Sequence, residues 1–157
     1  MIQKQHTALG LDPKFTKRVK IAIVRPTYHG PLNDNLEKYC IATLLENGVK
    51  DSNIQTFLVP GSWELPLMVQ TVAESKKFDA IVVFGIIVKG ETYHFDMIAR
   101  EVGTALMQLG LDHSIPVVME VLAVYDIKDA QVRAGNDEFN KGIEGAGAAL
   151  KMLEALQ

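Results

Sequence analysis

Two hydrophobic rhythms alternate along the chain. Short, mainly apolar runs are followed by longer stretches in which apolar residues return every three or four positions. "VKIAIV" (19–24) is a β-branched run of the first kind and predicts a strand. "RPTYHGP" follows it, dense in residues that interrupt regular structure. From Leu32 to Asn47 the period lengthens. Leu32, Leu36, Cys40 and Leu44 fall on one helical face, and Gly48 closes the segment. "IQTFLV" (54–59) predicts a second strand, turned by Pro60-Gly61 into a helix over Trp63–Ser75. "AIVVFGII" (80–87) is apolar throughout, as expected of a strand covered on both faces. A helix over His94–Leu109 sets Ile98, Val102, Ala105, Leu106 and Leu109 on one side. "PVVMEVLAV" (116–124) predicts a fourth strand, and helices over Ile127–Arg133 and Lys141–Leu156 complete the chain.

Four alternations of strand and helix predict an α/β fold: a three-layer αβα sandwich on a four-stranded parallel sheet with right-handed crossovers, flavodoxin-like in outline. No repeat or linker divides residues 1–157, so one domain is expected, with 1–17 as an N-terminal arm. In such folds ligands bind beyond the carboxyl ends of the strands. The loops there are "RPTYHGPLN", "PGSWE", "VKGETYH" and "VYDIKD", and they hold the polar and aromatic residues that the apolar pattern leaves unexplained. The small residues of "GIEGAGAAL" let another element approach the last helix closely, from within the chain or from a second copy.

Composition narrows the function. A formal net charge of −3 argues against nucleic acid or an anionic membrane as the main partner, but leaves room for a small anion held by a few cations. A single cysteine, Cys40, rules out an internal disulfide and fits a buried position. The start "MIQKQHTALG" has neither the basic opening nor the apolar core of a secretory signal, so a cytoplasmic protein is expected. The apolar run Ala80–Val88 is far short of the roughly 20 residues a membrane helix needs.

Each chemical candidate has an ordinary alternative. In "VKGETYHFD", free N–H groups at a helix start and the mobile backbone of Gly90 would suit a phosphate. "GIIVKGET" has the glycine spacing of a nucleotide-binding phosphate loop, but Glu91 stands where that loop needs lysine, which excludes an NTPase. His94 fits a general acid/base; locally, a helix capped by Thr92 with a surface histidine explains the same residues. Glu64 suits the first turn of a helix and could equally accept hydrogen bonds from a polyol or amide-like ring. Trp63 could stack on a ligand or fill core, and Tyr28 offers an aromatic platform beside His29. Arg133 and Lys141 are a planar fork and a point charge for a phosphate, or ordinary helix-end cations. The histidines at 6, 29, 94 and 113 lack metal-ligand spacing.

Taken together the loops resemble one family, lumazine synthase. "VPGSWELP", "GIIVKGETYHFD" and "RAGNDEFNKG" are similar to three of its motifs, in the same order and at natural spacing, and the likeness runs from Val19 to Leu156. The resemblance implies condensation of 5-amino-6-(D-ribitylamino)uracil with 3,4-dihydroxy-2-butanone 4-phosphate, through an imine, loss of phosphate and ring closure, with no cofactor and no metal. It implies that His94 transfers protons and Arg133 binds phosphate. Gly90, Glu91 and Thr92 would cradle that phosphate. Glu64 would bind the ribityl chain, with Ser62 and Trp63 flanking it along the pyrimidine. Ile86, Ile87 and Val88 would offer backbone contacts to the ring, with Tyr28 stacking and Lys141 reaching the pyrimidine side. Met119 stands where the family has an aromatic residue, Glu120 where it has glycine, His29 where it has asparagine, and Ala123 and Val124 where it has threonines. These departures fall on the part of the pocket that the family builds from a neighbouring subunit. The resemblance also implies a homo-oligomer, a pentamer or a 60-mer of pentamers, with riboflavin synthase as a candidate partner. Two rivals remain: a flavodoxin-like module that binds a flavin, lumazine or nucleotide without turnover, and an inactive shell-forming scaffold.

Overall fold

The computed structural model describes residues 2–157. Its strands are β1 (Ile21–Pro26), β2 (Ile54–Val59), β3 (Ala80–Val88) and β4 (Val117–Val124). Its helices are α1 (Pro13–Thr16), α2 (Gly30–Glu46), α3 (Leu65–Glu74), α4 (His94–His113), α5 (Ile127–Arg133) and α6 (Lys141–Ala155). The strands form one parallel sheet in the order β2-β1-β3-β4. The expected sandwich on a four-stranded parallel sheet is what the chain adopts.

Residues of alternate parity along the strands serve two cores. Ile21, Ile23, Val82, Phe84 and Ile86 pack with Leu36, Cys40 and Leu44 of α2 and Ala146, Ala149 and Leu150 of α6. Ala22, Val24, Ile81 and Val83 pack with Leu65, Val69 and Val72 of α3 and Val102 and Leu106 of α4. From Ala80 to Ile87 every residue of β3 is buried, which is why the run carries no polar alternation. Gly142 brings α6 against α2: a Cβ there would lie 2.1 Å from the Leu36 carbonyl oxygen.

Most boundaries shift by one or two residues, and three of the differences have a clear physical cause. The first strand occupies Ile21–Pro26 rather than 19–24, because Arg25 and Pro26 stay in register with Leu58 and Val59. The charge of Arg25 is compatible with this strand because Asp34, at 2.6 Å, and Glu37 pair with it. The helix expected from Trp63 is preceded by a one-turn 3-10 helix over Ser62–Glu64. Helix α4 continues past Leu109 to His113, where Ser114 turns left-handed (φ 49°) and sends the chain back along Gly110.

The arm also has structure. Asp12 caps α1 through the Lys14 N–H (2.9 Å), and Asn47 receives the Leu9 N–H while its own amide donates to Thr7 O (2.6 Å). Leu9, Leu11 and Phe15 thereby pack on the core. Among the described residues no helix is long and apolar enough to cross a membrane.

Candidate functional site

The sheet opens at its carboxyl end. β1 pairs with β3 only over Ile21–Val24 and Ala80–Val83. Beyond that point β1 follows β2 to the Pro26–Val59 pair, while β3 follows β4 to the Val88–Val124 pair. The strand order reverses at this same junction, since β1 is followed in sequence by its neighbour on one side and in the sheet by β3 on the other. That is where parallel α/β sheets form ligand crevices.

The turn over Ser62–Glu64 sits across the opening. Gly85 makes room for it, because a Cβ on Gly85 would lie 3.0 Å from Ser62 Oγ and 3.2 Å from Leu65 Cδ1. The turn is braced internally: Gly61 N–H donates to Glu64 Oε2 (3.0 Å), and Glu64 N–H donates to Gly61 O (3.2 Å). Glu64 therefore keeps one carboxylate oxygen engaged at a helix entry, where backbone N–H groups favour negative charge. Trp63 is 53% exposed, which excludes the core-filling alternative.

The first loop is tied to the second. Thr27 N–H donates to Val59 O (2.8 Å) and Tyr28 N–H to Pro60 O (3.3 Å). His29 precedes α2 in a left-handed conformation (φ 52°), which costs a non-glycine residue about 1–2 kcal/mol. Its ring leans on Tyr28, with centroids 4.5 Å apart, and Tyr28 remains 68% exposed.

The third and fourth loops form a second pair. Lys89 N–H donates to Val124 O (2.9 Å), the Lys89 ammonium stands 5.0 Å from the centre of the Tyr125 ring, and Phe95 meets that ring at 5.9 Å. Between them Gly90, Glu91, Thr92 and Tyr93 are exposed, and a Cβ at Gly90 would meet nothing within 4 Å. Helix α4 starts at His94, whose N–H reaches Thr92 Oγ1 at 3.4 Å. A 20-residue helix thus begins four residues after a glycine with open space beside it, and a helix start of this kind attracts an anion. His94 and Asp96 are exposed in its first turn. Ile86 and Ile87 lie buried beneath, and Val88 is half-buried.

Arg133 belongs to a different element from His94. It is half-buried at the end of α5, donates to Asp129 O (2.9 Å) and faces the open edge of β4 across a cleft lined by Val121–Tyr125. Among the described residues no hydrogen bond joins Arg133 to His94. Lys141 begins α6 in an ion pair with Glu144. Met119 sits midway along β4, opposite Val83, and faces an apolar groove rather than the loops. Within the chain, then, Tyr28, Ser62, Trp63 and Glu64 come together around the sheet opening. Gly90, Glu91, Thr92 and His94 gather at the neighbouring loop, while Arg133, Lys141 and Met119 lie toward the β4 side.

Two groups matter more than their sequence context suggested. Glu120 is 9% exposed on β4, packed against Gly145 of α6. Burial, reinforced by the nearby charge of Glu144 and only partly opposed by Lys141, pushes its pKa from the ordinary 4.5 up to about 8. The sequence signal was a carboxylate inside an apolar strand. Arg25, an arginine inside "IAIVRP", gives the same signal; its carboxylate partner Glu37 also accepts from Thr56 Oγ1 at 2.6 Å. Cys40 is fully buried, and desolvation, then Glu120 and Glu37, push its thiol pKa well up, which makes it inert. Among the described residues no cluster of three or more metal-ligating side chains occurs.

This geometry offers an aromatic platform and a carboxylate at the sheet opening, a helix start suited to an anion, and an imidazole beside it. Comparison with known proteins points the same way. A family model described as 6,7-dimethyl-8-ribityllumazine synthase matches residues 18–157. A protein of that name from Stenotrophomonas maltophilia is 35% identical over 146 residues, covering 93% of this chain and 94% of its own. Its namesake from Acidovorax sp. is 33% identical over 141 residues, 90% of this chain and 89% of its own. A third, from Chromobacterium violaceum, is 36% identical over 143 residues, 90% of both.

Proposed function

The chain belongs to the 6,7-dimethyl-8-ribityllumazine synthase family, and from that premise we propose how its strand-exit loops divide the work. The protein is an enzyme of riboflavin biosynthesis. It condenses 5-amino-6-(D-ribitylamino)uracil with 3,4-dihydroxy-2-butanone 4-phosphate. The 5-amino group adds to the ketone and loses water to give an imine, phosphate leaves, and the second amine closes the ring with loss of another water.

The observation that supports the assignment of roles is the meeting of the family's motif-bearing loops at the carboxyl end of one sheet. The pyrimidine lies over the opening between β1 and β3, against Tyr28 and the turn of Ser62 and Trp63, with backbone groups of Ile86, Ile87 and Val88 at its polar edge. Glu64 accepts from the ribityl hydroxyls with its remaining lone pairs. The butanone phosphate binds the amides of Gly90, Glu91 and Thr92, where the start of α4 opposes its charge. His94 moves the proton in imine formation and phosphate elimination. Arg133 neutralises the departing phosphate with its planar fork. Holding both substrates in one cleft removes much of the entropy cost of their encounter.

Arg133, Lys141 and Met119 lie on the β4 side, so the complete site is shared: they serve the loops of an adjacent subunit. The chain forms pentamers through its open β4 edge, alone or assembled into a larger shell, in the cytoplasm. Riboflavin synthase, which uses the product, is the proposed partner.

Absorbance of the lumazine product on mixing protein with both substrates tests the reading. Removing a general acid/base lowers turnover by about 10²–10⁴-fold, so His94→Ala is expected to act mainly on kcat. Losing a charged hydrogen bond to phosphate weakens binding by about tenfold to a hundredfold, so Arg133→Ala is expected to raise KM for the butanone phosphate. Turnover near the parent level in both variants would remove these roles. Tight lumazine binding without product would favour the binding module.

A further inference from the structure

Asn33, in the first turn of α2, is fully buried. Its side-chain amide donates to Tyr28 O at 2.9 Å and to His29 O at 3.5 Å, and its backbone N–H donates to His29 O at 3.1 Å. Those contacts fix the orientation of the amide, since only the NH₂ end can donate to two carbonyls. Its Oδ1 is then left without a hydrogen-bond partner among the described residues, the one buried side-chain atom there in that condition. Buried unpaired acceptors are rare and costly. The segment from Tyr28 to Asn33 also contains the left-handed His29, a second local expense. Two unfavourable features thus converge on the segment that presents Tyr28, and both are explained if the geometry of that segment matters more than its stability.

We propose that Asn33 is a positioning residue for Tyr28, setting the attitude of the aromatic face on which the pyrimidine stacks; this rests on the stacking role given to Tyr28 above. The loop is held from both ends. Val59 and Pro60 take the N–H groups of Thr27 and Tyr28, while Asn33 takes the carbonyls of Tyr28 and His29. With the backbone pinned on either side and the His29 ring against it, Tyr28 needs no buried anchor of its own, and stays exposed yet aimed. A leucine of similar volume at position 33 would remove the clamp and the orphaned oxygen together, so its effect on ligand binding and its effect on stability should separate.

The test is steady-state kinetics of the assembled enzyme with each substrate varied in turn, alongside urea unfolding at fixed protein concentration. Tyr28→Ala is the reference and should raise KM for the ribitylaminouracil about tenfold or more, the scale of a lost aromatic stack. Asn33→Leu should raise the same constant by a comparable factor, leave KM for the butanone phosphate within about twofold, and leave the urea midpoint no lower than the parent's. The double variant should be no worse than Tyr28→Ala alone. If Asn33→Leu does not accumulate folded, Asn33→Ala should show the same split between the two Michaelis constants. A Tyr28→Ala effect with none from Asn33→Leu overturns the positioning role and spares the stacking role. No effect from Tyr28→Ala removes both. A parallel change of both Michaelis constants with a fall in the midpoint means that Asn33 is merely structural, and also overturns the inference.

Discussion

At position 120 a single carboxyl group sets a pH dependence of the fold. Glu120 is buried on β4 against Gly145, with Glu144 and Lys141 the charged groups facing it from α6. In the unfolded chain it ionises near 4.5, whereas in the folded chain it holds its proton to about 8. Between those values the native state binds more protons than the unfolded one, so stability falls as pH rises. The contribution is complete below the unfolded pKa and is lost progressively through the window, at up to about 1.4 kcal/mol per pH unit. Urea midpoints measured between pH 5 and pH 8 should therefore decline more steeply for the parent protein than for Glu120→Gln. Parallel curves would mean that the carboxyl is ionised throughout.

Among the elements, the tightest joint is between α2 and α6. Gly142 puts the α6 backbone directly on α2: an added Cβ would approach Leu36 O to 2.1 Å and Cys40 N to 2.9 Å. Both are backbone atoms that cannot turn aside. Gly142→Ala should destabilise by about 3 kcal/mol or more, as overpacking against rigid neighbours does. Gly147, five residues along the same helix, meets only Leu9 Cδ2 at 3.9 Å. Gly147→Ala should be neutral or stabilising by up to about 1 kcal/mol through helix propensity. Denaturant midpoints at one protomer concentration would compare the two; equal losses would show that the small residues of α6 answer to something other than this contact. The stripe of small residues in "GIEGAGAAL" is thus mainly an intramolecular device, with Gly142, Gly145, Ala146 and Ala149 buried and only Ala148 exposed among them.

The whole molecule leaves one face unfinished. β4 is an edge strand, and beside it a groove of about 660 Å³ runs between α4 and the end of α6. Met107 and Leu111 on α4 are 68% and 66% exposed there, next to Met119, Met152 and Leu156. An open apolar edge of this kind invites association unless it is covered. The proposed assembly covers it with the next subunit. A Met107→Glu/Leu111→Glu double variant should lower the particle mass in static light scattering and lose turnover, because a shared site cannot form in a monomer. A mass unchanged by two charges in the groove would place the subunit contact elsewhere.

Much of the fold was legible in the chain because burial on both faces leaves an unmistakable trace. β2 and α5 fall on the residues expected of them, and β3 and β4 differ from expectation by one residue at one end. Periodicity failed where a local pairing overrode it. Arg25 extended β1 because two carboxylates across α2 neutralise it, and Gly110 was passed over because the helix needed it for a close return. The residues of the candidate site could be named from motifs alone, since each motif is contiguous. Their arrangement could not. That β1 and β3 part after Val24 and Val83, that the Ser62 turn closes over Gly85, and that Asn33 grips the carbonyls of Tyr28 and His29 depend on contacts between distant segments. Sequence by itself determined the order and type of the four strands and of the helices that follow them, though not the short α1, because hydrophobic spacing acts within one segment. Only the tertiary structure decided which groups share a cavity, which charges lose their water, and which edge is left open, because those are properties of segments brought together.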